Sequence, residues 1–101
     1  MRPWEAEGLD WATERVIQKL LDRGIFQYQV EQVFLNAPAY KRNLEGNTGD
    51  WKMIGWTNGS RELTIIVLTI EETRLLRPIT GWPATELESK YFHAKRRRLR
   101  R

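Results

Sequence analysis

Apolar residues at Val16, Ile17, Leu20 and Leu21 recur at the three- and four-residue spacing of one helix face. Asp10 or Thr13 supplies a capping side chain, so the pattern predicts a helix running to about Arg23. Gly24 marks its end, because glycine accepts the left-handed conformation that often closes a helix. Ile25-Phe26 follows as an apolar link. Val30, Val33 and Phe34 then share one side of a second short helix, from about Tyr28 to Asn36, which Asn36-Ala37-Pro38 terminates.

Beyond Pro38 the period shortens. Ala39 to Leu44 reads as a strand, and Glu45 to Asp50 as a loop. Trp51 to Thr57 alternates, with Trp51, Met53 and Gly55 on one face and Lys52, Ile54 and Trp56 on the other. Asn58-Gly59 then predicts a type I′ hairpin turn, since both residues tolerate positive φ. Arg61 to Ile70 contains a near-continuous β-branched and apolar run, the mark of a central strand covered on both faces. Arg74 to Thr80 is the last predicted strand. Pro78 cannot donate to a ladder, which puts that strand at an edge or near its end. Pro83 suits the first turn of a closing helix, on which Leu87 and Tyr91 lie four apart, with Ala84 and Ala94 extending the stripe. The expected fold is α+β: two N-terminal helices, a four-stranded antiparallel β-meander and a C-terminal helix.

Composition limits this to one domain. The chain has 101 residues, of which 41% are hydrophobic, enough for one modest core. It has no cysteine, which excludes disulfide and thiolate chemistry. The start reads as charged rather than as a signal peptide, and the longest apolar run falls well short of the ~18 residues of a membrane span. A cytoplasmic protein that makes no use of a membrane is the expectation. The net charge of +4 is unevenly placed. The last seven residues hold six of the 17 Lys and Arg, leaving 11 bases and 13 acids, a net −2, in residues 1–94. This divides the chain into a slightly acidic domain, 1–94, and a basic tail, 95–101. Such a tail favours polyanions, or forms a solvated, disordered end.

One histidine and no cysteine cannot build a usual zinc site. Nucleotide-binding and serine-hydrolase motifs are also absent from the sequence, and His93 reads as an exposed or half-packed helix residue. What remains is chemistry by Arg, Lys, Glu, Tyr and Thr. That set suits RNA cleavage through the substrate's own 2′-hydroxyl. Such a reaction needs a base, an acid and cations around the phosphorane, but no metal or cofactor. The catalytic candidates are Lys52, Arg77, Thr80, Glu88 and Tyr91. Arg42, Arg61, Trp82, Lys95, Arg96, Arg97 and Arg98 are candidates for RNA binding. Arg77 stands out because it shares a strand face with Leu75 and Ile79, where a charge needs a partner. Glu88 is the expected partner.

Several motifs fall in a recognisable order between Asp22 and Phe92. They are Asp22-Arg23-Gly24-Ile25, Val30-Glu31-Gln32-Val33, Ile54-Gly55, Gly59-Ser60-Arg61-Glu62-Leu63 and Ile65-Ile66-Val67. Arg77-Pro78-Ile79-Thr80-Gly81-Trp82-Pro83-Ala84-Thr85 follows, then Glu88 and Tyr91. In this order they resemble the BrnT ribonuclease toxins of type II toxin–antitoxin systems, a branch of the RelE-like fold. The resemblance implies an endoribonuclease (mRNA interferase) that acts on RNA and is held inactive by a cognate antitoxin. Through that complex it also implies a link to operator DNA. It places Arg77, Thr80, Glu88 and Tyr91 in a rim at the last strand-to-helix corner. The sequence departs from the family pattern at Asp22-Arg23, where the family has Lys-His. It departs again at Trp82, where the family has arginine, and at Ser60, where the family glycine directly precedes the arginine. A non-catalytic nucleic-acid-binding or protein-interaction module of the same fold is the alternative.

Overall fold

A computed structural model describes residues 1–45 and 49–99. The first helix, α1, spans Glu14–Leu21, with Thr13 as the extended residue before it. Gly24 closes it at φ +74°, and the Ile25 amide donates back to the Leu20 carbonyl at 2.9 Å. Asp10 takes no part in capping and turns instead to Arg77. The second helix, α2, spans Gln27–Leu35, and its Gln29 side chain accepts from the Phe26 amide.

Among the described residues five strands form one mixed sheet. They are β1 (Gly8–Leu9), β2 (Ala39–Arg42), β3 (Trp51–Trp56), β4 (Glu62–Ile70) and β5 (Leu75–Pro83), in the order β1-β5-β4-β3-β2. The meander β2–β5 is antiparallel, and β4 is its buried centre, as the apolar run implied. The added strand is β1. It pairs parallel to β5 through Gly8↔Leu75 and Leu9↔Leu76. Two residues carry no readable period, so the pairing was invisible in the sequence. Residues 46–48 of the expected loop lie outside the described residues.

Three local expectations are corrected. The hairpin after β3 is not type I′. Neither Asn58 nor Gly59 has positive φ; Ser60 does, at 66°, and its amide donates to the Thr57 carbonyl at 2.9 Å. This is the pattern of a longer loop that a left-handed residue closes. Next, β5 does not stop at Thr80 but runs to Pro83. Pro78 is tolerated because β1 covers only Leu75 and Leu76, and because the ladder to β4 shifts register between Ile66 and Val67, opposite Pro78 and Thr80. Lastly, the closing helix α3 spans Glu86–Leu99, and its phase differs from the predicted one. Leu87 is 79% exposed, whereas Glu88 and Phe92 are buried. Thr85 and Glu88 explain the phase: the Thr85 amide donates to Glu88 Oε1 at 2.9 Å, and the Glu88 amide to Thr85 Oγ1 at 3.2 Å. This reciprocal capping box fixes which side of α3 faces the sheet.

Helices cover both faces of the sheet. On one, α1 and α2 bring Leu20, Val30 and Val33 against Met53, Leu63, Ile65 and Val67. On the other, Phe92 of α3 packs with Ala39 and Ile54, flanked by Trp56, Ala84 and Tyr91. Met53 and Ile54 point to opposite faces, yet both are fully buried. Gly81 marks a close approach of layers, since a Cβ there would lie 2.6 Å from Ile65 Cδ1 and 3.2 Å from Leu20 Cδ2. The basic segment does not begin a separate structural unit: α3 continues through Lys95 and Arg98 to Leu99, while Arg100 and Arg101 lie outside the described residues.

Candidate nucleic-acid interface

The sheet face under α3 is built from cross-strand rows. One row is Lys41–Lys52–Ile66–Thr80, and the next is Ala39–Ile54–Thr64–Trp82. Glu88 sits over both. Its Oε1 accepts from Thr64 Oγ1 at 2.9 Å, from Trp82 Nε1 at 3.0 Å and from the Thr85 amide. Its Oε2 lies 3.4 Å from Lys52 Nζ. Burial alone would raise the Glu88 carboxyl; the hydrogen bonds from Thr85, Thr64 and Trp82 outweigh it and hold the group below its usual range. A carboxylate engaged in this way positions its neighbours and is poorly placed to accept a substrate proton.

The expected rim is therefore only partly assembled. Lys52, Thr80, Trp82 and Glu88 share the sheet face under α3. Arg77 does not reach Glu88. Its Nε and Nη2 donate to Asp10 Oδ2 at 3.1 and 2.9 Å, across 67 residues of chain. The charge on β5 is paired as the strand face required, but by the segment after β1. Thr80 Oγ1 is buried with no hydrogen-bond partner among the described residues. Tyr91 donates its hydroxyl to the Tyr40 carbonyl at 2.9 Å. Burial pushes the Tyr40 phenol above its usual range, so it stays protonated.

Two of the expected RNA-binding arginines lie elsewhere. Arg42 lies 5.0 Å over the Trp51 ring, which packs against the α1–α2 core. Arg61 Nη1 donates to the Gly24 carbonyl at 2.6 Å and to Gln29 at 3.3 Å, and so ties the β3–β4 hairpin to α2. Trp82 is held by Glu88 and is half-buried. The basic segment, in contrast, begins with two cations seated on aromatic rings. Lys95 and Lys41 lie 5.6 and 5.3 Å from the Tyr91 ring centroid. Arg96 lies 4.4 Å over Trp56 and 5.6 Å from Phe92. Arg97 and Arg98 continue the exposed side of α3. Among the described residues none of Lys41, Lys95, Arg96, Arg97 and Arg98 is in an ion pair with a carboxylate.

Sequence reasoning missed Lys41 and underrated His93. Lys41 stands directly opposite Lys52 in the β2–β3 ladder, an arrangement of like charges that costs stability. The charge of Glu88 and the face of Tyr91 offset it. His93 Nε2 lies 3.2 Å from the Glu62 carboxylate, which also accepts from Ser89 Oγ at 2.6 Å. Burial works to raise Glu62, but Ser89 and His93 hold it below its usual range. The signal was the His93 and Ser89 spacing on α3, four residues apart and on the side that meets β4.

Among the described residues no group of three or more His, Asp or Glu is placed to hold a metal ion, and no helix is long and apolar enough to cross a membrane. The arrangement offers cations on a half-apolar platform, a chemistry suited to phosphate and bases together. Comparison with protein-family models, curated proteins and solved structures returns no match to this chain.

Proposed function

We propose that the protein binds single-stranded RNA across α3 and the sheet face beside it. We propose further that it is an endoribonuclease toxin of the BrnT kind that its sequence resembles. One observation carries the binding reading: Lys41, Lys95 and Arg96 rest on the rings of Tyr91 and Trp56 rather than on carboxylates. Cations presented in this way meet phosphates while neighbouring aromatic surface meets bases. Cleavage rests on the ordered motifs of the sequence. In that step the 2′-hydroxyl gives its proton to water as its oxygen bonds to phosphorus, the bond from phosphorus to the 5′-oxygen breaks and that oxygen takes a proton from water, while Lys41 and Lys52 face the charge that develops on the phosphoryl oxygens. Glu88 and Arg77 act as positioning residues, through Lys52 and Asp10. A cognate antitoxin covering this face, and operator DNA reached through that complex, belong to the same proposal.

A second reading is a non-catalytic RNA-binding module. The saturation of Glu88 and the diversion of Arg77 to Asp10 favour it. Induced expression in a bacterial host separates the two, with growth and total RNA integrity followed together in wild type and Lys41→Gln. Lys41 is exposed, so the variant keeps its fold. Growth arrest and RNA loss in wild type, relieved in Lys41→Gln, is the expected result for the toxin. Intact RNA and normal growth, with RNA binding retained, leaves the binding module. No RNA binding by the folded wild type overturns both.

A further inference from the structure

Beside the C-terminal half of α3 lies a cavity of about 350 Å³ lined by Trp56, His93, Arg96 and Arg97. A second, of about 610 Å³, shares Trp56 and Arg96 with it and continues past Leu35, Asn58 and Ser60 at the β3–β4 hairpin. We propose that the two together seat one nucleotide of single-stranded RNA, with its phosphate in the first and its base and sugar in the second.

The first cavity has the chemistry of a phosphate seat. Arg96 and Arg97 bring two guanidiniums, neither in an ion pair with a carboxylate among the described residues. Arg96 is held in place over Trp56 at 4.4 Å, so little rotamer freedom is lost when it binds. The His93 ring is fixed on three sides: by Glu62 at 3.2 Å, by Trp56 at a centroid distance of 5.7 Å, and by Phe92 at 5.2 Å. The Glu62 carboxylate beside His93 is already engaged by Ser89 and His93. A phosphate arriving here meets one guanidinium, that of Arg96, already held in place, with the exposed guanidinium of Arg97 beside it.

The second cavity suits the rest of a nucleotide. Leu35 is 75% exposed and supplies an apolar wall. Asn58 and Ser60 bring hydrogen-bonding side chains to the same wall. The loop that carries them is fixed: Asn36 Nδ2 donates to the Trp56 carbonyl at 3.1 Å and to Asn58 Oδ1 at 2.9 Å, and the Asn58 amide donates to Gln32. The left-handed Ser60 closes the loop toward this side. A nucleoside phosphate is the ligand class that needs an anion seat and a half-apolar, half-polar wall side by side.

This inference rests on the RNA-binding reading, and the test keeps the two apart. Adenosine 5′-monophosphate, adenosine and inorganic phosphate are titrated into the full chain, with NMR shifts at the Trp56 indole and His93 as readout. A labelled single-stranded oligoribonucleotide is titrated in parallel. The variants are His93→Gln and Arg97→Gln; Arg97 is exposed, so its replacement leaves the core intact. The nucleotide should bind at least roughly ten-fold more tightly than adenosine or phosphate, and each variant should lose up to about ten-fold, as expected for one lost hydrogen-bonded contact. Oligoribonucleotide affinity should fall in the same variants. Equal binding of adenosine and its monophosphate overturns the phosphate seat. Tight RNA binding that both variants retain, with no nucleotide shift at Trp56, overturns the pocket but leaves the RNA reading standing. Nucleotide binding at Trp56 without any RNA binding keeps the pocket and removes the RNA reading.

Discussion

Replacing Glu88 with alanine separates a positioning carboxylate from a catalytic one. The wild-type side chain receives Thr64 Oγ1, Trp82 Nε1 and the Thr85 amide, all within 3.0 Å, and faces Lys52 Nζ at 3.4 Å. Thr64 is fully buried, so its hydroxyl is stranded once the carboxylate is gone. Leaving one buried polar group unsatisfied costs about 1–3 kcal/mol. Loss of the acceptor for the Thr85 amide, one half of the capping box, adds about 0.5–1 kcal/mol while the Thr85 cap itself remains. An unpaired, mostly buried Lys52 adds a further desolvation cost, and removal of one partner of a buried pair measures about 3–5 kcal/mol in total. These contributions overlap, and the expected loss for Glu88→Ala is about 3–5 kcal/mol. That is a large fraction of the ~5–15 kcal/mol that stabilises a domain. Urea unfolding followed by tryptophan fluorescence measures it, with Thr64→Val as a companion that removes the stranded hydroxyl. Glu88→Ala in the Thr64→Val background should cost clearly less than in wild type, because one orphan has been deleted with its partner. A Glu88→Ala loss under about 1 kcal/mol, with RNA cleavage abolished, would refute the reasoning and return Glu88 to the catalytic set.

The hydrogen-bonded carboxyls of Glu88 and Glu62 lie below their usual range in the folded chain, so the stability they contribute is fully present above the ordinary glutamate value of about 4.3. It drains away as the pH falls through the folded values, and the urea midpoint should drop steadily below about pH 4.3; a flat midpoint down to pH 3 contradicts this. Ser60→Gly should raise stability by about 0.5–1 kcal/mol, because glycine removes the left-handed penalty at φ 66° while loosening the unfolded chain; a lower thermal midpoint speaks against it. Asp10→Ala and Arg77→Ala should each cost about 0.5–1 kcal/mol and should not add in the double variant, since the pair is partly exposed. They should also leave RNA affinity alike; a selective RNA defect in Arg77→Ala would make that arginine an RNA contact.

Much of the fold was legible because it is periodic. The stripe through Val16 and Leu20, the alternation from Trp51 to Trp56 and the apolar run from Leu63 to Val67 each encode one element and the face it buries. What was not legible is non-local or short. The two-residue β1 has no pattern, and the Asp10–Arg77 pair joins positions 67 residues apart. Proline at 83 suggested a helix start, but the Thr85–Glu88 capping box overrode it and turned Glu88 and Phe92, rather than Leu87, toward the sheet. That box was readable, and it would have corrected the phase. The site followed the same division. Lys52, Thr80 and Trp82 share one side of the sheet through strand register, and the Thr85–Glu88 capping box turns Glu88 toward them, while Arg77 pairs away with Asp10. Arg42 and Arg61 were drawn elsewhere by Trp51 and by the Gly24 carbonyl. The basic segment was readable as charge but not as structure. Its arginines are good helix formers and suit a helix C-terminus, and the stacking of Arg96 on Trp56 depends on a ring brought in from β3.

The central claim, that the aromatic-seated cations of α3 and β2 bind RNA, is tested most directly by salt-dependent binding of a labelled single-stranded oligoribonucleotide. Wild type is compared with a variant in which Lys41, Lys95, Arg96 and Arg97 are glutamine. For wild type the slope of log affinity against log salt should correspond to several phosphate contacts, at about 0.7 per contact on a single strand. The variant should bind weakly and with a much shallower slope. Equal affinity and equal slope for the two folded proteins would contradict the claim and place any RNA contact elsewhere on the molecule.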